Sequence, residues 1–388
     1  MTRLLGFTPK NGNRSGDTMP MYHKGKWHIF ISDPPNGKWL FPQSAATSTF
    51  HIVSEDLVHW EQVECNDLYP GKKGSYDHDG LWTGCVLEKD GVFHYFYTGG
   101  LRTSKGYEQK ICHATSDDMI NWKKNPNNPI LGPDDRYDQI DFRDPAIHID
   151  EEGNYVMIIA TRDAKGPAFK SGVLAAAYSK DLINWKLGET FASQHLTHCP
   201  ECPEYFKLGN YYYLVYSRYS EFQQTFYRVS KNPNGPWESR KSDTLDGRRF
   251  YAGKSCTDGK RRMAFAWIPY RLDHLANERW VWGGDIGSPH EYISLDDGTL
   301  AVKLPEEVAK SYSNSNKFEI KNSFNNWSFD SRGVINTEAI STYSSCFLVG
   351  PKREDDLLFE TNLKIDEGTA AAGILLESSN NLLRSYYL

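Results

Sequence analysis

The 388-residue sequence predicts an all-β protein, and three observations predict it. It holds 11 Trp, 23 Tyr and 19 Phe, 14% of the chain, alongside 31 Gly and 19 Pro, a composition suited to many short strands joined by tight turns. Helical periodicity is nearly absent. A glycine turn feeding an aromatic, alternating run recurs five times: HKGKWHIFIS around Gly25, KDGVFHYFYTG around Gly91, EEGNYVMIIA around Gly153, KLGNYYYLVYS around Gly209 and TDGKRRMAFAWI around Gly259.

Those glycines lie 50 to 66 residues apart, too far for one hairpin and about right for one four-stranded sheet with a long connection. A second signature keeps phase with the first: SEDLVHW at 54–60, SDDMINW at 116–122, SKDLINW at 179–185 and a weaker SKNPNGPW at 230–237. Its Ser-x-Asp oxygens can bond nearby backbone amides in a turn and its Trp can cover a sheet face, so it reads as structural. Two interleaved repeats of five sheets describe a five-bladed β-propeller, assigned to residues 1–304. Residues 305–388 begin with a Ser/Asn-rich linker and continue as FEIKNSF, WSFDS, GVINTEA, LLFETNLKI and AAGILLESS, strands without blade signatures. They form a short C-terminal β-sandwich-like module, expected to be either small or cut inside a sandwich.

Lys and Arg number 44 against 50 Asp and Glu, so the net charge of −6 offers no basic field to nucleic acid or an anionic membrane surface. No apolar run approaches the length of a membrane span. Seven scattered cysteines do not resemble a disulfide framework, and MTRLLGFTPKNG lacks the apolar core of a leader, so a cytoplasmic location is favoured over secretion. Cys199 and Cys202 have a Cys-x-x-Cys spacing without a second pair, and no His-Glu-x-x-His, phosphate loop or dinucleotide fingerprint occurs. The acids of PDDRYDQID read as solvated turn residues rather than calcium ligands. No metal and no cofactor is expected, and the oligomeric state is not fixed.

Three acids stand at blade-equivalent places. Asp17, Asp144 and Glu201 precede their blade glycines by eight or nine residues, each near a proline (Pro20, Pro145, Pro203) that fixes backbone direction. A single such acid reads as a surface turn residue; three at one register point to one place. Two carboxylates flanking a scissile bond, one ionised and one protonated, are what glycoside hydrolysis needs, and the third would bind hydroxyls.

These segments resemble glycoside hydrolase family 32. GDTMPMYHKGKWHIF resembles the family's nucleophile block, FRDP its Arg-Asp-Pro motif and ECPEYF its Glu-Cys-Pro motif, in the family's order, while WTGC at 82–85 resembles its Phe-Ser-Gly segment. The resemblance covers residues from about 10 to 305. It implies a retaining β-fructofuranosidase acting on sucrose, inulin- or levan-type linkages, with a carbohydrate as its partner. It also implies Asp17 as nucleophile, Glu201 as general acid/base, and Asp144 as the transition-state stabiliser on fructosyl hydroxyls, accompanied by Arg143. Trp82 and Thr83 are the implied sugar contacts; Trp39 and Trp282 are further candidates.

The usual Asn-Asp-Pro-Asn-Gly is replaced by Gly16-Asp17-Thr18-Met19-Pro20, and a look-alike, Asp33-Pro34-Pro35-Asn36-Gly37, follows the first strand. Asp17 is preferred because it precedes the strand, whereas Asp33 is expected at the strand's opposite end. Three other readings stay open: a fructosyltransferase of the same family, an arabinoside- or xyloside-acting propeller glycosidase with its carboxyls set wider apart, and a sugar-binding propeller without catalysis. Linkage, chain length and a requirement for a phosphorylated sugar are not fixed by the sequence.

Overall fold

The computed structural model describes residues 15–33, 48–65, 68–167, 169–193, 195, 197–220, 223–247, 249–271 and 280–312, with short segments beyond. Within residues 1–308, which form one compact unit, the strands assemble into five antiparallel sheets. The first blade runs β1 (Thr18–His23), β2 (Lys26–Asp33), β3 (Ser48–Ser54) and β4 (Glu61–Val63). The second is β5 (Gly80–Lys89), β6 (Val92–Thr103), β7 (Gly106–Ser116) and β8 (Lys123–Lys124). The third is β9 (Tyr137–Ile149), β10 (Tyr155–Asp163), β11 (Gly172–Ser179) and β12 (Lys186–Ala192). The fourth is β13 (Glu201–Leu208), β14 (Tyr211–Arg218) and β15 (Gln224–Ser230). The fifth is β16 (Tyr251–Thr257), β17 (Arg262–Arg271), β18 (Trp280–Ile286), β19 (His290–Ser294) and β20 (Leu300–Lys303).

The first strand of each blade touches the next in cyclic order, β1, β5, β9, β13 and β16, and β16 returns to β1. That is a closed five-bladed propeller. The expectation of four strands per blade fails in the fourth, where isolated bridges from Phe226 to Thr244 and from Val229 to Glu238 stand in place of a fourth strand. Proline-containing Ser230–Trp237 cannot supply the regular edge that the other blades have.

Apolar clusters fill the spaces between successive blades. Met19, Phe30, Tyr95 and Trp122 pack between the first two, Phe96, Phe142 and Met157 between the next pair, and Phe206, Tyr213, Phe250 and Tyr292 between the last two. The Ser-x-Asp signature builds the turn that seats these tryptophans. Leu182 N–H bonds Ser179 Oγ at 2.9 Å, Asn184 N–H bonds Asp181 at 2.8 Å, and Trp185 Nε1 donates to the Leu182 carbonyl at 3.1 Å. The equivalents at Asp118 and Trp122 repeat this, and Leu57, Met119 and Leu182 all take the left-handed conformation at φ of 63°, 61° and 67°. The weaker fourth copy keeps the counterpart of the Asp181 N–H to Ser179 Oγ bond, Asn232 N–H to Ser230 Oγ at 3.0 Å.

Two blades carry the same buried pair of histidines. His28 and His51 approach at 3.0 Å, as do His94 and His113, with Phe30 and Phe96 stacked against the inner ring of each pair. One nitrogen must donate and the other accept, so the accepting ring of each pair is neutral. Burial lowers all four, to about 4 at His28, about 3 at His51 and about 4 at His113.

The ring is closed at its seam by main chain. Ser15 and Gly284 exchange backbone hydrogen bonds of 2.8 and 2.7 Å, and the Thr18 hydroxyl donates to the Phe265 carbonyl at 3.0 Å. A helix, α1 (Glu306–Ser311), follows β20. Residues 309–388 form a second unit, in which β21 (Asn322–Phe324) pairs with β24 (Phe347–Val349), β22 (Trp327–Phe329) with β23 (Ile335–Thr337), and β25 (Leu375–Leu376) with β26 (Tyr386–Tyr387). FEIKNSF, WSFDS, GVINTEA and AAGILLESS each contain one of these strands, while LLFETNLKI lies largely outside the described residues.

Candidate active site

Four of the five inner strands break register at the same place. Trp82 pairs with Thr98 before the break in β5, Arg143 with Ala160 in β9, Glu201 with Ser217 in β13 and Tyr251 with Trp267 in β16. In the last three, the next residue is left-handed: Asp144 at φ 55°, Cys202 at 47° and Ala252 at 55°. Such bulges re-aim side chains and cluster beside functional sites. They also correct the register expected from the sequence. Glu201 is the counterpart of Arg143, and Cys202 that of Asp144, because the β9–β10 connection is longer than the β13–β14 turn. The three acids nonetheless meet.

Asp17 stands at the entrance to β1, its backbone held by Gly16 N–H to Ser32 O at 2.9 Å and Ser32 N–H to Asp17 O at 3.0 Å. Its Oδ1 accepts from Trp267 Nε1 at 2.7 Å and its Oδ2 from the Thr83 hydroxyl. Burial pushes this carboxyl up and the Asp144 charge adds to that, while the two donors and the Lys254 ammonium pull it back. Gly16 is glycine for a reason of space: a Cβ there would run into the six-membered ring of Trp282.

Asp144, 3% exposed, is woven into three blades. Its N–H donates to Thr98 Oγ1 at 2.8 Å, the Thr98 hydroxyl donates to the Thr83 carbonyl at 2.9 Å, and Asp144 Oδ2 accepts from the Cys202 N–H at 2.9 Å. Arg143 is buried beside it. Its guanidinium donates to Gln109 at 3.2 Å, to Asp141, and to Glu201 Oε1 at 2.8 Å, with Nε 3.7 Å from Asp144.

Glu201 receives that arginine on one oxygen and the Tyr251 hydroxyl on the other. Its side chain keeps 21% of its surface open, enough for a ligand to reach it. Burial raises the carboxyl to about 7; Arg143 works against this, and the charges of Asp144 and Asp17 reinforce it. An acid raised to neutrality inside a cluster of carboxylates can hold a proton at working pH and give it up.

Thr83 is thus in contact with Asp17. Trp82, half-buried, stacks on Tyr107 with ring centroids 5.0 Å apart and planes 19° from parallel. Trp282 covers Gly16 and tilts against Trp267 at 5.7 Å. Trp39 lies outside the described residues. Asp33 corrects an expectation: β2 runs back antiparallel to β1, so Asp33 ends at the same end of the blade as Asp17, one strand farther from the axis. The acids of PDDRYDQID face arginines, Asp134 with Arg136 and Asp138 and Asp141 with Arg162. Among the described residues, no cluster of three or more His, Cys, Asp or Glu could hold a metal ion, and all cysteines described are free thiols.

Four participants were not singled out from sequence: Tyr251, Trp267, Thr98 and Lys254. Tyr251 and Trp267 sit edge-to-face at 5.3 Å and so join the Glu201 and Asp17 ends of the cluster.

The model of the glycosyl hydrolases family 32 N-terminal domain matches residues 7–297. The chain belongs to glycoside hydrolase family 32. Among relatives of this family-32 chain, a raffinose invertase of Escherichia coli is 29% identical over 309 residues, covering 74% of this chain and 61% of its own length. A sucrose-6-phosphate hydrolase of Zymomonas mobilis is 26% identical over 324 residues, covering 77% of this chain and 61% of its own. The chain therefore spans about three-fifths of the length of these relatives. Among solved structures, the GH32 β-fructofuranosidase of Bombyx mori superposes with a TM-score of 0.64 at 21% identity, over 82% of this chain and 68% of that one. Fructan 1-exohydrolase IIa of Cichorium intybus gives 0.63 at 20% identity, over 82% and 62%. These two likenesses are of fold.

Proposed function

We propose that this family-32 chain is a retaining glycosidase that releases fructose from β-fructosides through a covalent intermediate. The observation that carries the reading is the contrast between two carboxyls in one cluster. Asp17 accepts hydrogen bonds from two neutral donors that favour its anion against burial, while Glu201 is raised to about 7 and open on one side. In the first step an Asp17 oxygen bonds to the anomeric carbon of the fructosyl unit as the glycosidic C–O bond breaks, and the Glu201 proton goes to the departing oxygen. In the second, water attacks the same carbon, Glu201 takes the water's proton, and the bond to Asp17 breaks. Asp144, fixed by Cys202 N–H and Arg143, is placed to accept hydroxyl hydrogens of the ring as positive charge develops.

The names of the relatives make sucrose, raffinose and sucrose 6-phosphate the substrates to compare. The test is release of fructose from each, repeated with methanol present. A retaining enzyme gives methyl β-fructofuranoside; the α-anomer would show inversion, longer oligosaccharides from concentrated sucrose would show transfer, and tight binding without turnover would show a binding protein.

A further inference from the structure

Lys254 is the one lysine buried among the described residues, with 4% of its surface exposed. It lies just past the β16 bulge, and its Nζ donates to the Gly84 carbonyl on β5 at 2.6 Å. β16 belongs to the fifth blade and β5 to the second, so this side chain links the two blades that flank the one carrying Asp17. Among the described residues no carboxylate lies within ion-pair distance of it; its acceptor is a neutral carbonyl. A buried ammonium in that state is costly unless nearby charge offsets it.

The groups that feel its charge are the carboxyls of Asp17 and Glu204 and the thiols of Cys85 and Cys202. Glu204 already has Arg262 at 2.9 Å and both Ser255 donors. Among the described residues, no cation is in contact with Asp17. It is faced by the carboxyls of Asp144 and Glu201, by Cys202 and Tyr251, and by the donors Thr83 and Trp267. The anchor also has a mechanical side. Gly84 follows Thr83 and approaches β6 so closely that a Cβ would meet the Phe96 carbonyl, so fixing the Gly84 carbonyl fixes the turn of chain that aims the Thr83 hydroxyl.

We propose that Lys254 is a positioning residue for Asp17: its ammonium balances the negative charge of Asp17 and, seated on the Gly84 carbonyl, holds the strand that presents Thr83 to Asp17. The assignment rests on reading Asp17 as the nucleophile.

Carbon-13 NMR of the intact protein labelled at the aspartate carboxyls tests it, with the Asp17 signal identified by its loss in Asp17→Asn. In Lys254→Met, Asp17 is expected to titrate about one pH unit higher, and the acid limb of fructose release to move up with it. Lys254→Arg, which keeps the charge, restores both. If Lys254→Met fails to fold, Lys254→Gln, which removes the charge and keeps a donor, is expected to give the same upward movement. An Asp17 titration unchanged in the neutral variant overturns the proposal. A wild-type protein that releases no fructose overturns the functional reading instead, and the NMR titration still decides on Lys254.

Discussion

Trp267 donates its indole N–H to Asp17 across 2.7 Å, from the second strand of the last blade to the residue that opens the first. An indole nitrogen can only donate, so this Asp17 oxygen can only accept. Together with the Thr83 hydroxyl, the bond favours the ionised carboxylate against a burial that disfavours it. Contacts from two other blades thus oppose the burial that raises this carboxyl.

Asp17→Asn is expected to lower kcat/KM for sucrose on the order of 10⁴-fold or more, since it removes the attacking oxygen. Asp33→Asn, one strand out, is expected to stay near wild type. Steady-state fructose release from the two variants distinguishes them, and an active Asp17→Asn removes Asp17 from the chemistry.

In the proposed mechanism Glu201 is protonated to assist the leaving oxygen, so turnover is expected to fall as pH rises through about 7, where burial places its carboxyl. Tyr251 donates to the carboxylate and so favours the charged form. Tyr251→Phe is therefore expected to move the alkaline limb of kcat upward. Glu201→Gln should cost about 10²- to 10⁴-fold on sucrose, and less on fructosides whose leaving group departs unprotonated. A pH–rate profile for each variant, together with one activated fructoside, is the measurement.

Gly16→Ala forces the Trp282 ring from its seat beside Asp17. Slower fructose release and a changed tryptophan fluorescence are expected, because the displaced ring covers Gly16 and packs on Trp267, which bonds Asp17. Wild-type kinetics in this variant would mean that Trp282 has no part in shaping the pocket.

The paired histidines set an acid limit on stability. Their folded-state values, about 4, about 3 and about 4 at His28, His51 and His113, lie below the unfolded value near 6.5. Between those values the unfolded chain binds more protons, so stability is full above the unfolded value and is lost as pH falls toward the folded ones. His51→Gln and His113→Gln are expected to flatten the fall in Tm between pH 6.5 and about 4. An equally steep fall in the double variant would place the acid sensitivity elsewhere.

Much of this was legible because all five blades carry a glycine hairpin and three of them a full Ser-x-Asp turn, whose hydrogen bonds lie within a few residues of one another. Asp144 and Glu201 were legible because Arg-Asp-Pro and Glu-Cys-Pro are contiguous. Their register was not, since it depends on residues 150–154 extending one hairpin beyond another. Asp33 was misplaced for a related reason: a strand that follows a hairpin returns to the end from which its partner started. Tyr251, Trp267 and Lys254 act through neighbours tens to hundreds of positions away, and in a chain this rich in aromatics no local pattern marks the two rings that reach a carboxylate.

The seam between Ser15 and Gly284 joins the start of the first blade to the last. Asp17 and the indole that bonds it lie 250 positions apart in the chain, so the contacts of this carboxyl are incomplete until the last blade docks on the first. A chain lacking Trp267 would keep the Asp17 carboxyl buried without its indole donor.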